Sequence, residues 1–296
     1  MNELFRYLHT LIKKNGPVAK EYAELNSWID KVIRAKREGI LGEKDLDSLR
    51  EIWGEAFSTD TMQGFSFLKP HGYPGDFEII DRLYINYISP KPSLARWDKF
   101  YQNHAAARAV RNRGVYLRKV ILARLTDKKS IRVFNVGSGP GRDMQYFFDN
   151  DPGDAGSRVA FECLEQDADA IAHCREVCRE YLPRISFIKN NILRYTPARR
   201  YELVWASGLF DYFNDRIFIR MLKKLRDSLV PGGECVIGNF SVDNPSRNYM
   251  EIFEWCLHYR TASQLESLAM QGGIAEKSIK IGRDRTGVNL FLHFSV

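Results

Sequence analysis

The feature that most constrains this chain is an apolar, strand-like run that breaks into alternating glycines. The run covers residues 131–136, and Gly137, Gly139 and Gly141 follow it directly. Glycine adopts positive φ without strain and has no side chain, so a ligand can approach its backbone closely. The spacing differs from the dinucleotide fingerprint, and it lacks the Lys-Ser/Thr ending of a P-loop. The run therefore predicts a nucleotide-type cofactor site at a strand-to-helix turn, with a plain connecting loop as the alternative.

Further strand-like segments follow the glycine run in a regular order. They cover residues 159–165, 185–191, 201–208 and 229–239. Short apolar runs that alternate with helical patterns are typical of a parallel sheet built from strand-helix-strand units. Any one of these segments could be an ordinary strand, but together they predict a doubly wound α/β domain.

The last part of the chain predicts an antiparallel hairpin. Residues 278–282 and 288–296 are strand-like, and the charged, flexible segment 283–287 separates them. Two strands joined by so short a turn must be antiparallel, because a parallel pair needs a long crossover. This order of elements, with the 137–141 glycines as motif I, resembles the class I S-adenosylmethionine (SAM) methyltransferases. The resemblance implies an α/β fold: a Rossmann-like seven-stranded sheet with an antiparallel C-terminal hairpin, preceded by an N-terminal helical lid domain.

The resemblance also implies that the cofactor is S-adenosyl-L-methionine and indicates which residues bind it. Glu165 ends the second strand, where a carboxylate can accept both ribose hydroxyls, and Asn191 with Ile192 follows the third strand, beside the adenine. The expected cofactor-binding residues are Arg113, Asn135, Gly137, Ser138, Gly139, Gly141, Asp143, Glu165, Gln166, Asn191, Ile192, Ser207 and Asp211.

One position departs from the usual pattern of motif I. Asn135 stands where these enzymes usually have Asp or Glu, and a neutral amide lacks the charge that would bind the SAM ammonium. Asp143, the Gly137 carbonyl and Asp211 are the alternatives for that role. Arg113, together with its neighbour Arg111, is a candidate for the SAM carboxylate.

The first third of the chain predicts a separate helical layer. Apolar residues recur at helical spacing, for example Leu4, Leu8 and Leu11. With 296 residues, of which 44% are hydrophobic, the chain can form one large or two moderate domains. We expect a helical lid and acceptor-binding domain at 1–115 and a SAM-binding methyltransferase domain at 116–296.

Between these helices lies the second unusual stretch, residues 69–78. Two prolines and two glycines predict an ordered turn, because proline restricts φ and glycine permits unusual values. Asp76 is either the N-cap of a helix over 77–87 or a residue of the acceptor site.

Several motifs together resemble a narrower bacterial family of methyltransferases. That family includes the synthases of 3-hydroxy-fatty-acid methyl esters, which serve as quorum-sensing signals. The resemblance implies O-methylation of a small-molecule or acyl-chain acid, at a carboxyl or hydroxyl oxygen. The motifs that carry it are residues 69–77, 111–117, 208–212, 237–240, Trp255 and 259–261.

We expect the acceptor to be a small molecule that is acidic or apolar. A carboxylate acceptor needs no base, whereas a hydroxyl or amine acceptor must lose a proton to one. The expected catalytic residues at the acceptor site are Tyr73, Asp76, Tyr212, Tyr259 and Arg260. The candidate bases are His71, Asp76, His104, Asp211 and His258.

Composition bounds the remaining possibilities. No apolar run approaches the roughly 18 residues of a membrane span, so we expect a cytoplasmic enzyme without a membrane span. The five cysteines form no C-x-x-C pair, and we expect no metal site. The net charge of +7 is spread along the chain, so nucleic acid is not the expected partner. The alternatives are an RNA or protein methyltransferase and a non-catalytic SAM-fold regulatory module, and the oligomeric state is left open.

Overall fold

The strands predicted from the sequence form a single seven-stranded sheet. The computed structural model describes residues 2–151 and 153–296. In chain order the strands are β1 (Ile131–Val136), β2 (Val159–Glu165), β3 (Ile185–Lys189), β4 (Tyr201–Ala206), β5 (Leu229–Phe240), β6 (Ile279–Arg283) and β7 (Asn289–Ser295). Their order across the sheet is β3-β2-β1-β4-β5-β7-β6. The strands β1 to β5 run parallel to one another, and β7 is antiparallel to both β5 and β6. The predicted fold class, including its C-terminal hairpin, is confirmed.

Helices cover both faces of this sheet and make up most of the N-terminal part. They are α1 (Asn2–Lys13), α2 (Tyr22–Arg37), α3 (Glu43–Trp53), α4 (Met62–Leu68), α5 (Phe77–Tyr84), α6 (Ala95–Asn103), α7 (Ala105–Leu125), α8 (Arg142–Asp149), α9 (Ala168–Val177), α10 (Asp215–Asp227), α11 (Arg247–Ile252) and α12 (Ala262–Gln271). None of the helices in the described ranges is long and apolar enough to cross a membrane.

The sheet is buried between two apolar layers, which is why its strands read as continuous hydrophobic runs. On one face, α7, α8 and α9 contribute residues such as Leu117, Phe147 and Cys174. On the other face, α10 and α12 contribute residues such as Phe218 and Leu265. Capping side chains mark where such helices start. At the start of α10, the side chain of Asn214 accepts the Ile217 N–H.

The point where the strand order reverses lies between β1 and β4. From β1 the chain adds β2 and β3 on one side, and β4 and β5 on the other. Ligands of open α/β sheets bind in the crevice at the carboxyl ends of the strands beside such a reversal. The glycine run after β1 and residues 207–212 after β4 occupy this position.

Two compact units make up the chain, and they do not follow the predicted boundary. The first contains Met1–Arg108 and Pro245–Cys256, and the second contains Ala109–Asn244 and Leu257–Val296. The sequence-based division ended at residue 115 and assigned 245–256 to the cofactor domain. In the structure α11 packs in the first unit, where Arg37 bonds Asn248 at 2.8 Å.

The first unit is a helical assembly with an aromatic core. Trp53 lies between Trp28 and Trp97, with ring centroids 5.8 and 6.4 Å away. The segment between α4 and α5 is the ordered turn that the sequence predicted, with Gly72 and Gly75 at φ 85° and 68°. Helix α5 ends at Tyr84 rather than at residue 87.

Candidate functional site

The three glycines after β1 all have positive φ, but their surroundings differ. A Cβ built on Gly139 would meet no atom within 4 Å, so the space above this residue is open. At Gly137 the same Cβ would touch Leu209 at 3.5 Å, in ordinary contact. At Gly141 it would lie 2.3 Å from the Cys174 Sγ, inside the protein. Gly139 therefore faces the crevice, whereas packing of α9 requires glycine at position 141.

Next to this loop the structure brings together the residues expected on the adenosine side. The Glu165 carboxylate accepts the Gly139 N–H at 3.0 Å and the Gln166 N–H at 2.7 Å. The Gln166 side chain in turn accepts a bond of 2.6 Å from the Asn191 amide. Glu165 is only half-buried, so its carboxylate stays open to further donors such as ribose hydroxyls. Ile192, the next residue, is buried in the core.

Two buried polar groups, one near the end of β1 and one in the glycine run after it, have no hydrogen-bond partner within the described part of the chain. They are the amide nitrogen of Asn135 and the hydroxyl of Ser138, on residues that are 2% and 7% exposed. Buried polar groups are almost always paired in native proteins. Such groups beside an open crevice fit a polar ligand bound there.

Asp143 takes a different role from the expected one. Its Oδ2 accepts the indole N–H of Trp205 at 2.7 Å, and its Oδ1 accepts the Met144 N–H at 2.9 Å. Burial raises the pKa of its carboxyl group. Both oxygens thus serve the packing of α8 on the sheet, which corrects the assignment of Asp143 as a ligand of the cofactor ammonium.

Arg113 and Asp211 place opposite charges at the carboxyl ends of β4 and β5. The Arg113 Nε donates to Asn289 Oδ1 at 3.2 Å, and its Nη2 lies 3.9 Å from Asp211 Oδ2. The other Asp211 oxygen accepts the Phe240 N–H at 2.6 Å. Burial raises the pKa of Asp211 to about 6, and the nearby Arg113 charge opposes that rise.

Arg260 is a buried structural residue, which corrects the prediction that it binds the acceptor. Its Nη groups donate to the Phe210 and Phe213 carbonyls and to Asn239 Oδ1, and both Nε and Nη2 donate to Asp215 Oδ1. These bonds use all the N–H donors of a guanidinium. None is left for a ligand.

The other residues expected at the acceptor site fall in both units. In the second unit Ser207 follows β4, Tyr212 lies in the short 3-10 turn Phe210–Tyr212, and Tyr259 precedes Arg260; all three are half-buried. In the first unit Tyr73 is half-buried, and Asp76 is the N-cap of α5.

The capping interpretation of Asp76 is confirmed by its contacts. Its Oδ1 accepts the Glu78 and Ile79 N–H groups at 3.0 and 2.9 Å.

The candidate bases also differ in their surroundings. His71 bonds Glu78 at 3.0 Å, and burial together with the Arg108 charge lowers the pKa of His104 to about 3. His258 is exposed, and its backbone N–H donates to the Asp211 carbonyl at 2.8 Å. His104 therefore stays neutral over the physiological pH range.

Sequence reasoning missed residues that hold the site in place. Asn289 anchors Arg113, and its signal was a polar side chain at the start of an otherwise apolar strand. At Gly208 a Cβ would lie 2.7 Å from the Arg113 Nη1, so any other residue here would make the guanidinium shift. Trp205 fixes Asp143, and its sequence context gave no sign of that bond.

Comparisons with known proteins identify a domain in the second half of the chain. Residues 133–233 match a family model described as a methyltransferase domain. A search of curated protein sequences gave no match.

Solved structures share the fold. The chain is similar to a possible exported protein from Bordetella parapertussis, with a TM-score of 0.66 and 16% identity over 99% of this chain and 94% of that chain. It is also similar to a proposed O-methyltransferase from Nostoc punctiforme PCC 73102, with a TM-score of 0.52 and 12% identity over 79% of this chain and 71% of that chain. At such identities the similarity shows the fold.

The residues at the crevice fit a nucleoside cofactor with a charged tail. Gly139 leaves space, Glu165 offers a carboxylate, and Asn135 with Ser138 offers unpartnered polar groups. The matched domain shows that this chain is a methyltransferase enzyme whose cofactor is S-adenosyl-L-methionine, and the strand order shows the class I fold.

Proposed function

We propose that the enzyme methylates an oxygen of a small-molecule or acyl-chain acid. The observation that carries this proposal is a cationic segment at the edge of the sheet where the parallel strands end. Arg283, the last residue of β6, and Arg285, on the turn to β7, are both exposed. Because β7 is antiparallel to β5, this turn lies at the carboxyl end of β5. Arginine is well suited to bind carboxylates, so the edge favours an anionic acceptor.

The turn that carries these arginines is well fixed. The Asn112 amide of α7 donates to Asp284 Oδ2 at 2.7 Å, and Asp284 Oδ1 accepts the Asn289 N–H at 2.9 Å. The same carboxylate accepts the Thr286 N–H. A rigid turn presents its charges at a constant position, which favours specific binding of the acceptor over non-specific electrostatic attraction of anions.

We assign the cofactor contacts as the sequence predicted them, apart from Asp143. When bound, SAM supplies a methyl group already activated on its sulfonium. The protein therefore has only to orient the acceptor oxygen and exclude water. Glu165 is assigned to the ribose, Asn191 and the Ile192 backbone to the adenine, and Gly139 to the close approach of the cofactor.

An acid acceptor needs no general base. A carboxylate is already a nucleophile at neutral pH, so no proton has to leave before methyl transfer. The hydroxyls of Tyr212 and Tyr259 are assigned to orienting the acceptor. For a hydroxyl acceptor, by contrast, one of the histidines or Asp211 would have to accept a proton.

We further assign acceptor recognition to the helical first unit and a cytoplasmic location to the enzyme. The first unit exposes two large apolar side chains that flank α5, Leu68 at 51% and Ile85 at 50%. Exposed apolar side chains provide surface for an acyl chain. The location is supported by buried, unpaired cysteines such as Cys163 and Cys235, which suit a reducing compartment.

Incubation of the enzyme and methyl-labelled SAM with a cell extract tests the proposal. We expect label in an organic-soluble acid fraction, and mild alkali should release it as methanol if a carboxyl group was methylated. The variant Gly139→Val serves as the inactive control. Label in RNA or protein, or on nitrogen in an alkali-stable product, would contradict the proposal.

A further inference from the structure

A group of exposed cations lies on the outer side of α10 and on the loop after β3. On α10, Arg216, Arg220 and Lys223 are exposed. They are four and three residues apart, so they lie on one side of the helix. On the loop, Arg194 and Arg199 are exposed too. We call these five side chains the cationic face. Along the sequence they are scattered charges, and the fold brings them together.

Direct hydrogen bonds join the loop to the helix. The Arg220 Nη2 donates to the Leu193 carbonyl at 3.1 Å, and the Lys224 Nζ donates to the Tyr195 carbonyl at 2.9 Å. The first loop cation lies between these two anchored residues. The second, Arg199, is close enough for its charge to act on the Tyr195 hydroxyl. The cations of the loop and of the helix therefore belong to one continuous surface.

No acidic side chain of the described ranges pairs with the cations of this face. Both acids of α10 are bound to other partners, since Asp215 pairs with Arg260 at 2.8 Å and Asp227 pairs with the residue before it at 2.9 Å. Like charges one helical turn apart are destabilising. The repulsion reaches a neighbour, because burial and then the Arg220 charge lower the pKa of the Lys224 ammonium. An anionic partner would offset this unbalanced charge.

The cationic face offers charge but neither apolar surface nor aromatic rings. None of the large hydrophobic side chains exposed in the described part of the chain belongs to it. Protein interfaces usually have an apolar, aromatic-rich centre, and single-stranded nucleic acids stack their bases on exposed aromatic rings. The composition of the face therefore favours neither of these partners.

The helix of the cationic face is also placed too low in the surface to enter the groove of a duplex. Its inner side is buried through Phe218, Met221 and Leu222. The loop after β3 lies along one side, and on the other side the Arg226 Nη1 donates to the Gly272 carbonyl after α12 at 3.1 Å. Helices that read duplex DNA project into the major groove. Flanked in this way, α10 presents its charges as part of a broad surface.

We propose that the cationic face docks the enzyme on the surface of an anionic lipid bilayer. Such a surface attracts Lys and Arg side chains within a Debye length and requires neither a groove nor base stacking. The contact is electrostatic and reversible, because the face has no exposed large hydrophobic side chain to insert. This inference goes beyond the proposed reaction and does not rest on it. Docking would hold the enzyme where acyl-chain compounds accumulate.

Sedimentation with lipid vesicles tests the docking surface. The full chain is mixed with vesicles of phosphatidylcholine alone or of phosphatidylcholine with phosphatidylserine. We expect binding to the phosphatidylserine vesicles only. Raising the salt from about 0.1 to about 1 M should abolish this binding, because the Debye length then shortens from about 10 to about 3 Å.

A triple variant, Arg194→Gln with Arg216→Gln and Lys223→Gln, removes three exposed charges of the face. It should bind phosphatidylserine vesicles at least about 20-fold more weakly, since each cation near an anionic surface contributes about fivefold. Thermal melting checks that the variant folds. If it melts early, the single charge reversal Arg216→Glu repeats the test with a smaller change in the same direction.

A matched control removes the same net charge from exposed positions away from α10. It combines Lys119→Gln on α7, Lys277→Gln before β6 and Lys280→Gln on β6. Its affinity for phosphatidylserine vesicles should stay within about threefold of wild type, because docking depends on where the charges lie.

Equal binding of wild-type protein to both kinds of vesicle, or to neither, would overturn the proposal. So would equal losses in the triple variant and the control, because total charge would then explain the binding. An RNA duplex that binds wild-type protein but not the triple variant, with vesicle binding unchanged, would assign the face to nucleic acid instead. Failure of the proposed methylation reaction looks different, since it changes where the methyl label appears and leaves vesicle binding as it is.

Discussion

At the residue scale, the motif I glycines look alike in the sequence but have different roles in the structure. Gly139 opens onto free space, whereas a Cβ on Gly141 would collide with the Cys174 sulfur at 2.3 Å. Both residues have positive φ, at 51° and 75°. One glycine thus makes room for a ligand and the other for a neighbouring helix, and a motif cannot distinguish the two.

The assignment of Asp211 to the SAM ammonium predicts how cofactor affinity depends on pH. The pKa of Asp211 is raised to about 6, mainly by burial, while the charges of Arg113 and Arg260 oppose the rise. The ammonium pairs with the ionised carboxylate, so the affinity for S-adenosylhomocysteine (SAH), the demethylated cofactor, should fall as pH drops below about 6, by up to tenfold per pH unit.

Titrations of SAH from pH 5 to pH 8 measure this effect, and deaminated SAH is the control. The control ligand has no ammonium, so its affinity should not weaken as the pH falls through 6. An SAH affinity that stays constant over the range would contradict the role of Asp211.

Other residues of the site show the limit of sequence reasoning at this scale. Glu165 could be predicted because a carboxylate at the end of β2 follows from the order of the strands. Asn289 could not, because its contact with Arg113 joins residues 176 positions apart. Packing between distant segments decides such contacts.

At the element scale, Arg260 joins segments that would otherwise be independent. It bonds the carbonyls of Phe210 and Phe213, the Asn239 side chain at the end of β5 and the Asp215 carboxylate at the start of α10. The guanidinium also lies 4.5 Å from the Phe218 ring centroid. These bonds hold the turn that carries Asp211 and Tyr212.

Arg260→Lys should lower the free energy of unfolding by about 2 to 4 kcal/mol, because one ammonium cannot replace the bonds of the guanidinium fork. Chemical denaturation measures the change. Arg247→Lys is the control, since its bond to Glu251 joins residues one helical turn apart and the Arg247 side chain is 45% exposed. That variant should change stability by less than about 0.5 kcal/mol. Equal losses of unfolding free energy in the two variants would contradict the role of Arg260 in holding this turn.

The strands and their order could be predicted because short apolar runs and tight turns are local signals. The role of Arg260 could not be predicted, because its partners lie far away in the sequence, between residues 210 and 239. An arginine on the solvent face of a helix and a buried one share the same sequence signal.

At the scale of the whole molecule, the chain combines a sheet domain with a helical unit that is discontinuous in sequence. Residues 245–256 lie between β5 and α12 but pack in the first unit, where the Tyr249 hydroxyl bonds Gln63 at 3.0 Å. A domain division based only on position along the chain cannot show that residues 245–256 belong to the first unit. The cofactor site lies in the second unit, and its central requirement is the open space at Gly139.

The most direct test compares SAH binding to wild-type protein, Gly139→Val and Gly232→Val by isothermal titration. Gly232 also has positive φ and no atom within 4 Å of a built Cβ, but it lies near the start of β5, at the opposite edge of the sheet. Both substitutions strain the backbone alike, so melting temperatures should fall by similar amounts. We expect wild-type protein and Gly232→Val to bind SAH with similar, micromolar affinity, and Gly139→Val to bind it at least about 100-fold more weakly. Unchanged affinity in Gly139→Val would contradict the placement of the cofactor in this crevice.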